Sequence, residues 1–389
     1  MNHQRQEKRL EQKNKRRCKL QKRFLFLALC FFCLANVVNA GAETEETETP
    51  ESTAKDVSTK TKAKKKDYYL ETEISTEYDT NVFDYSQDDR AEYKSYTTPN
   101  RFKGVDSLDD FITRISFNAG LEKKILDIGT TVFDLGIRGN IYAENDDKNY
   151  EVYDVSLKQR IGKDNLVKVG YEYLPKYFVR TLRDADILSG DRFRKAEFKN
   201  NNVYLKYWNR VKKSLTWWIQ YTYGDKDYNS DFNERDTQFH KIDLSSVYKP
   251  FAWIKFNPRF TYSINNAAAS DGDANVDSDI SQEEYRAGLY VNLYPQKKLS
   301  YLLGYNFYWI NYTTDNAVTA DPFHTGRDDK MQHVNFRVNY ALEDNLIIYL
   351  GYQYEINNAE AIGTDATQRE ESILGYDKHI VKTGVTISF

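Results

Sequence analysis

One polar segment of the chain, residues 321–329, brings a histidine and several carboxylates close together in sequence. His324 follows Asp321 by three residues, and a carboxylate that orients an imidazole is a common arrangement for activating water. Asp146 and Asp147 supply further carboxylates in another predicted loop. The sequence contains no Gly-x-Ser-x-Gly or His-Glu-x-x-His motif, which are the local signatures of serine hydrolases and zinc peptidases. We therefore predict no catalytic residues and no enzyme activity.

A second polar segment carries aspartates at alternate positions, from Asp271 to Asp279. Such carboxylates could gather Ca²⁺, but the segment lacks the glycine at the sixth position and the glutamate at the twelfth of a standard calcium loop. We interpret it as a solvated outer loop, which could also meet anionic lipopolysaccharide through divalent cations. The sequence thus predicts no metal ligands and no cofactor.

Basic residues recur on the polar face of several alternating runs, opposite the apolar side chains. If this face lines a water-filled path, its positive charge favours anions, and tyrosine and tryptophan rings suit sugars. Acidic residues share the face, so the alternative is that the charges pair across strands and fill the interior. The twelve basic residues are Arg114, Arg138, Lys158, Arg160, Lys168, Lys206, Lys241, Lys255, Arg259, Arg286, Arg337 and Lys382; the seven acidic ones are Glu122, Asp134, Asp154, Glu172, Asp243, Glu284 and Glu355.

The alternation also predicts the elements that carry these residues. Ile254 and Phe256 alternate with Lys255 and Asn257, and the last run alternates up to Phe389. This is the pattern of a strand with one apolar and one polar face. Fourteen strands are predicted, at 68–82, 110–122, 129–143, 151–161, 166–179, 202–209, 214–224, 237–248, 253–265, 283–294, 299–312, 331–342, 346–356 and 376–389.

The predicted connections alternate between short and long. Composition alone leaves a water-soluble sandwich and a membrane barrel open, but a sandwich has no reason to segregate loop lengths in this way. Short turns on one rim and long loops on the other, with an even number of antiparallel strands, are the plan of an outer-membrane barrel. We therefore predict an all-β, transmembrane, antiparallel up-and-down β-barrel of about 14 strands. Short turns are expected at 123–127, 162–165, 210–213, 249–252, 295–298 and 343–345, and long loops at 83–109, 144–150, 180–201, 225–236, 266–282, 313–330 and 357–375.

The N-terminal region has the organisation of an export signal. Ten Lys and Arg against two Glu precede an apolar run at 24–35 and the small residues Ala40 and Ala42, which predicts a signal peptide over residues 1–42. The alternative is an uncleaved anchor, although a span normally needs about 20 apolar residues. Residues 43–67 are charged and nearly free of large apolar side chains, as expected for a disordered periplasmic tether. Residues 68–389 then form the barrel.

Removal of the signal peptide changes both the charge and the cysteine content. It would leave 45 Lys and Arg against 56 Asp and Glu in place of 55 against 58, a net charge near −11. That sign argues against nucleic acid, which is bound by basic surfaces. All three cysteines, Cys18, Cys30 and Cys33, lie in the segment removed, so the exported chain would have no disulfide framework and no thiolate metal site.

Two stretches resemble known families. Residues 68–389, with about fourteen amphipathic strands and a last strand that ends in an aromatic residue, resemble Gram-negative outer-membrane β-barrels. The resemblance implies that Val385, Ile387 and Phe389 form the signal read by the barrel assembly machinery. Residues 77–83, Glu-Tyr-Asp-Thr-Asn-Val-Phe, resemble the Tyr-Asp-x-Asn-Val-Phe stretch near the start of porin-like barrels encoded with exopolysaccharide biosynthesis systems.

These patterns together predict a bacterial outer-membrane protein that acts as a porin-like channel for anionic or sugar-like solutes, or as part of exopolysaccharide export. The alternative is a structural or adhesive barrel that binds partners through its acidic loops and transports nothing. The expected partners are outer-membrane lipid and lipopolysaccharide, the barrel assembly machinery, and a polysaccharide or small anionic solute.

Overall fold

The computed structural model describes residues 67–97, 99–126, 129–184, 191–268, 279–314, 316–318, 321, 324–360 and 375–389. Within these residues, antiparallel strands close into one barrel in which sequence neighbours pair and the last strand pairs with the first. The strands are β1 Tyr68–Asp79, β2 Asp110–Leu126, β3 Gly129–Tyr142, β4 Tyr150–Ile161, β5 Asn165–Arg183, β6 Phe193–Lys212, β7 Leu215–Tyr228, β8 Thr237–Phe251, β9 Ile254–Ala267, β10 Gln282–Gln296, β11 Leu299–Tyr312, β12 Asp328–Glu343, β13 Leu346–Glu360 and β14 Asp377–Ser388. The predicted fold is confirmed, whereas the expected signal peptide, 1–42, and all but the last residue of the expected tether, 43–67, lie outside the described residues.

The outer and inner surfaces of the wall differ in polarity. Apolar side chains such as Leu350 (59% exposed) and Val381 (46% exposed) point outwards along their strands. The opposite register carries polar side chains that are buried, among them Asn140 and Asn306. A closed ladder leaves no edge, and an apolar exterior around a polar interior suits a wall surrounded by lipid. The described chain is therefore an outer-membrane β-barrel.

Several strands extend farther than the alternation predicts, and β5 and β6 are the longest of them. β5 ends at Arg183 rather than 179, and β6 begins at Phe193 rather than 202. At 19 and 20 residues, both exceed the 9 to 11 residues that a tilted strand needs to cross a bilayer. The added residues include Lys195 and Lys199. Hydrogen-bonded pairing can continue above the lipid without apolar alternation, because both faces of the wall then meet water or polar groups.

The first strand is shorter than predicted, because the chain leaves the wall after Asp79 and not after residue 82. Residues 80–97 and 99–109 fold back into the barrel at the rim that carries the long connections, and we call this segment the inner loop. Phe83 packs edge-on against Phe178 of β5, and Tyr85 packs against Phe102 within the loop. These side chains form a buried apolar cluster with inward-facing residues of β2, β3 and β5.

One helix, α1 (Gln87–Ser95), belongs to the inner loop. It begins at a capping box in which Ser86 and Asp89 satisfy each other's backbone amides, and it ends at Tyr96 in the left-handed conformation. Arg101 forms ion pairs with Asp89 and Glu92 and so holds the return segment of the loop against the helix. Within the described residues, no helix combines the length and apolar character needed to cross a membrane.

Candidate functional site: the inner wall and the inner loop

The twelve predicted cations lie on the register opposite the outward-pointing apolar residues. Lys382, for example, alternates with Val381, and Lys241 alternates with Ile242 and pairs across the ladder with Thr222, which is 4% exposed. Their neighbours define two groups on different strands, and the other five cations have individual settings.

Cations on β2, β4, β5 and β14 lie beside carboxylates. Asp134 and Glu77 are both buried in the wall. Each forms an ion pair with a basic residue of a neighbouring strand, so positive and negative charge largely compensate on this side. The ion pairs are Lys158–Asp134 at 3.0 Å, Lys168–Asp154 at 3.7 Å, Lys382–Glu77 at 3.1 Å and Arg114–Glu77 at 3.3 Å.

Three arginines on β9, β10 and β12 have a different environment. The guanidinium carbon of Arg259 lies 4.8 Å from the ring centroid of Tyr290, that of Arg286 lies 4.8 Å from Tyr308, and that of Arg337 lies 5.0 Å from Tyr349. In the described part of the chain, no carboxylate lies within 4.0 Å of these three guanidinium groups. Arg259 and Arg286 bond instead to the amide oxygens of Asn257 and Asn306.

The remaining predicted cations vary in setting. Lys241 lies 3.9 Å from Asp243, and the Lys206 ammonium lies between the rings of Trp208 and Trp218, at 4.3 and 4.0 Å from their centroids. Arg138, Arg160 and Lys255 occupy inward register positions on β3, β4 and β9. One side of the wall is thus compensated by carboxylates, and the β9–β12 side keeps positive charge stacked on aromatic rings.

Four inward tyrosines cover glycines on the neighbouring strand, an arrangement that the sequence analysis missed. In each pair the two residues are direct cross-strand partners, and a Cβ added to the glycine would lie 2.0 to 2.7 Å from the tyrosine ring. A cation lies over each ring. The sets are Gly120–Tyr69–Lys158, Gly170–Tyr204–Lys168, Gly304–Tyr290–Arg259 and Gly384–Tyr349–Arg337. Only glycine lets a ring lie flat on the wall, which leaves the lumen lined by ring faces and cations.

The inner loop is tied to the barrel wall by polar contacts as well as by its apolar cluster. Asp84, in the left-handed conformation at φ 55°, lies 2.8 Å from the ammonium of Lys378 on β14. Asn145 accepts hydrogen bonds from the backbone amides of Asp106 and Ser107, and the Asp110 carboxylate accepts from both Asn145 nitrogens. The β3–β4 connection therefore fixes the returning end of the loop.

Lys148, in the 3-10 turn Asp146–Lys148, is 3% exposed and lies beneath the inner loop. Its ammonium donates to the carbonyls of Phe178 and Val179 at 3.3 and 3.1 Å and lies 4.5 Å from the ring centroid of Phe83. Burial lowers the pKa of Lys148 to about 7, while Asp84 acts in the opposite direction. A titratable group with a pKa near neutrality thus supports the docked loop.

The histidine considered for chemistry forms a close pair with an aspartate. His324 Nδ1 lies 2.8 Å from Asp321 Oδ1, both side chains are buried, and the imidazole packs against Tyr312. Asp147, from the other candidate loop, is bound to Lys195. These contacts do not test the expectation of no catalysis, which stays a prediction.

The acidic segment considered for calcium lies outside the described residues except for Asp279. Among the residues that the structure does describe, no group of three or more His, Cys, Asp or Glu side chains is arranged to hold a metal ion.

Comparison with known proteins gives likenesses of fold only. No protein-family model matches the chain, and no curated protein matches it. Solved structures that resemble it include the outer membrane channel DcaP of Acinetobacter baumannii, at 10% identity over 83% of this chain and 96% of that one with a TM-score of 0.47. A bacterial polysaccharide outer membrane secretin matches at 9% identity, covering 82% and 98% with a TM-score of 0.42. An anion-selective porin from Comamonas acidovorans matches at 10% identity, covering 83% and 98% with a TM-score of 0.41. Likenesses this distant carry no argument about function.

Proposed function

We propose that this barrel is a porin-like channel that passes small anionic solutes across the outer membrane without acting on them chemically. The observation that carries the proposal is the arginine wall, which we define as Arg259, Arg286 and Arg337. All three guanidinium groups lie on the inner face over tyrosine rings, and no carboxylate in the described residues forms an ion pair with them within 4.0 Å, although Glu284 acts on Arg286 from a longer distance.

The arginine wall accounts for selectivity by electrostatics. An uncompensated cation beside a water-filled path raises the local concentration of anions and lowers that of cations. The ion-paired side formed by β2, β4, β5 and β14 adds little net potential, because Asp134, Asp154 and Glu77 offset its basic residues. The path for anions therefore follows β9–β12.

Exposed ring faces beside guanidinium groups also suit solutes that combine a sugar ring with a negative charge. Aromatic rings present large apolar faces, and arginine binds carboxylates and phosphates in a bidentate manner. Anionic sugars are therefore a solute class consistent with the tyrosine and arginine lining, and a role in exopolysaccharide export is consistent with the same lining.

Planar-bilayer recording tests the proposal. Purified barrel that shows heat-modifiable mobility on a gel should produce discrete conductance steps, and a salt gradient should give a reversal potential of the sign expected for anion preference. Absence of conductance from folded protein, or cation preference, would contradict the proposal.

A second candidate function is a barrel that transports nothing and binds partners through its outer loops. The packing of Phe83, Tyr85 and Phe102 inside the barrel favours it, because a fixed inner loop narrows the lumen. Recording from a chain in which residues 87–103 are replaced by a short Gly-Ser linker separates the two functions. Conductance that appears only after the replacement would support the closed barrel.

A further inference from the structure

A cavity of about 180 Å³ lies at the rim with the long connections, between the inner loop and the barrel wall. The described residues that line it include six cations and no carboxylate. These cations come from separate parts of the chain: the inner loop, β5, β7 and the connections that precede β8 and β12. They are Arg101, Arg180, Arg183, Lys226, Arg235 and Arg327.

Arg327 is held rigidly with part of its hydrogen-bonding capacity unused. Its Nε and Nη2 donate to the two carboxylate oxygens of Asp329 at 2.7 and 2.6 Å, and its guanidinium lies 4.6 Å from the ring centroid of Tyr312. The residue is only 3% exposed, yet its Nη1 has no hydrogen-bond partner among the residues that the structure describes. A buried donor without an acceptor costs free energy, which an anionic oxygen bound in the cavity would recover.

Arg180 and Lys226 add positive charge without an ion-pair partner among the described residues, although Glu284 acts on Lys226 from a longer distance. Within the described residues, neither has a carboxylate within 4.0 Å. The Arg180 guanidinium lies 5.5 Å from the ring centroid of Tyr85, and the Lys226 ammonium lies 5.6 Å from that of Phe198. Aromatic faces stabilise cations only modestly, so the two groups keep most of their capacity to attract an anion.

We propose that this cavity is a binding site for a small polyvalent anion that carries carboxylate or phosphate groups. Guanidinium groups donate paired hydrogen bonds to both of these groups. The volume of about 180 Å³ is large enough for a small carboxylic acid or a phosphate. The role of this site in uptake rests on the proposed channel function. In that role, the cavity captures the anion that the arginine wall then conducts.

Titration calorimetry on the purified full barrel in detergent, at low ionic strength, tests the site without requiring conduction. Citrate and inorganic phosphate are the probes for the two chemistries, and glucose is the neutral control. The variants are Arg180→Gln and Lys226→Gln, which leave the Arg327–Asp329 pair intact. Lys176→Gln is the matched control, because Lys176 is exposed and pairs with Glu197 away from the cavity. Heat-modifiable mobility shows that each variant is folded.

The expected result is saturable 1:1 binding of citrate, phosphate or both, weakened about tenfold or more by either cavity variant and unchanged by Lys176→Gln. The probe that binds more tightly identifies the preferred chemistry. Absence of saturable binding by the unsubstituted chain, equal binding of glucose, or equal affinity in all variants would overturn the site. Binding without conductance would contradict the channel and leave the site standing, whereas anion-selective conductance without saturable binding would overturn the site alone.

Discussion

The side-chain amide of Asn81 forms two hydrogen bonds to the main chain of Tyr85. Its Oδ1 accepts from the Tyr85 amide at 2.9 Å, and its Nδ2 donates to the Tyr85 carbonyl at 2.8 Å. Asn81 is completely buried, and its own amide is bonded to the carboxylate of Asp79. These hydrogen bonds hold the turn that leads the chain out of β1 and into the barrel. The Glu77–Phe83 stretch therefore has a structural role at the entry to the inner loop.

We expect Asn81→Ala to release the inner loop without opening the barrel. The substitution removes both hydrogen bonds and leaves the buried Tyr85 amide and carbonyl without partners, at a local cost of about 2–4 kcal/mol. The backbone hydrogen bonds between β1 and β14 remain, and the side chain reaches β14 only through a long contact of its Nδ2 with the Asp377 carbonyl at 3.5 Å. Limited proteolysis within residues 87–103 should therefore accelerate, while heat-modifiable mobility stays unchanged. Asn100→Ala, an exposed position in the same loop, is the control, and equal cleavage of both variants would contradict the role of Asn81.

Neutralising the arginine wall should abolish anion preference. The triple substitution Arg259→Gln, Arg286→Gln and Arg337→Gln removes positive charge that forms no ion pair among the described residues, so the potential of the lumen falls and cations enter more readily. We expect the anion-to-cation permeability ratio, measured from reversal potentials in a salt gradient, to fall to about one or below. Lys123→Gln, an outward-facing rim position paired with Asp67, is the control. An unchanged ratio in the triple variant would show that the current does not follow this wall.

Docking of the inner loop should strengthen as pH rises above 7. The pKa of Lys148 falls from 10.5 to about 7 when its amine is buried, so between these values the undocked state binds the additional proton. Raising the pH through this window therefore favours the docked state, by at most about tenfold per pH unit. Below pH 7 both states are protonated, and this group adds no further dependence.

A single cysteine at Val82, in a chain without residues 1–42, would report this docking through its rate of thiol labelling. Lys148→Met in the same chain removes the titrating amine, keeps the apolar stem, and corrects for ionisation of the thiol itself. The labelling rate of the lysine chain divided by that of the methionine chain should fall between pH 7 and 9. A constant ratio would show that Lys148 does not titrate on docking.

The sequence patterns define the membrane-spanning wall well and the structures inside it poorly. Alternation such as Ile254–Lys255–Phe256 is imposed by lipid on one face and water on the other, so it predicts strand number and register. Arg180 and Lys226 lie just beyond the predicted ends of β5 and β7, where no lipid enforces alternation. Phe83 and Phe102 fall in a connection expected to be polar, and large aromatic residues there were the available signal that the loop folds inwards. Contacts between segments that are distant in sequence, such as those that place Arg327 beside Arg180 and Lys226 in the cavity, leave no local pattern in the sequence.

Phe389 should matter for assembly more than for the stability of the folded barrel. Its backbone closes the ladder, because its amide donates to the carbonyl of Leu70 at 2.8 Å and its carbonyl accepts from the Leu70 amide at 3.2 Å. The side chain is 48% exposed on the outer surface. Phe389→Asp therefore keeps both backbone hydrogen bonds and changes only the side chain that contacts the lipid and the assembly machinery. We expect much less barrel in the outer membrane of cells, measured by heat-modifiable mobility, but efficient refolding of the purified variant into detergent. Phe389→Tyr, which keeps the aromatic ring, is the control. Equal loss of refolding in detergent would assign the effect to stability, and normal assembly of Phe389→Asp in cells would show that this residue is not part of the signal.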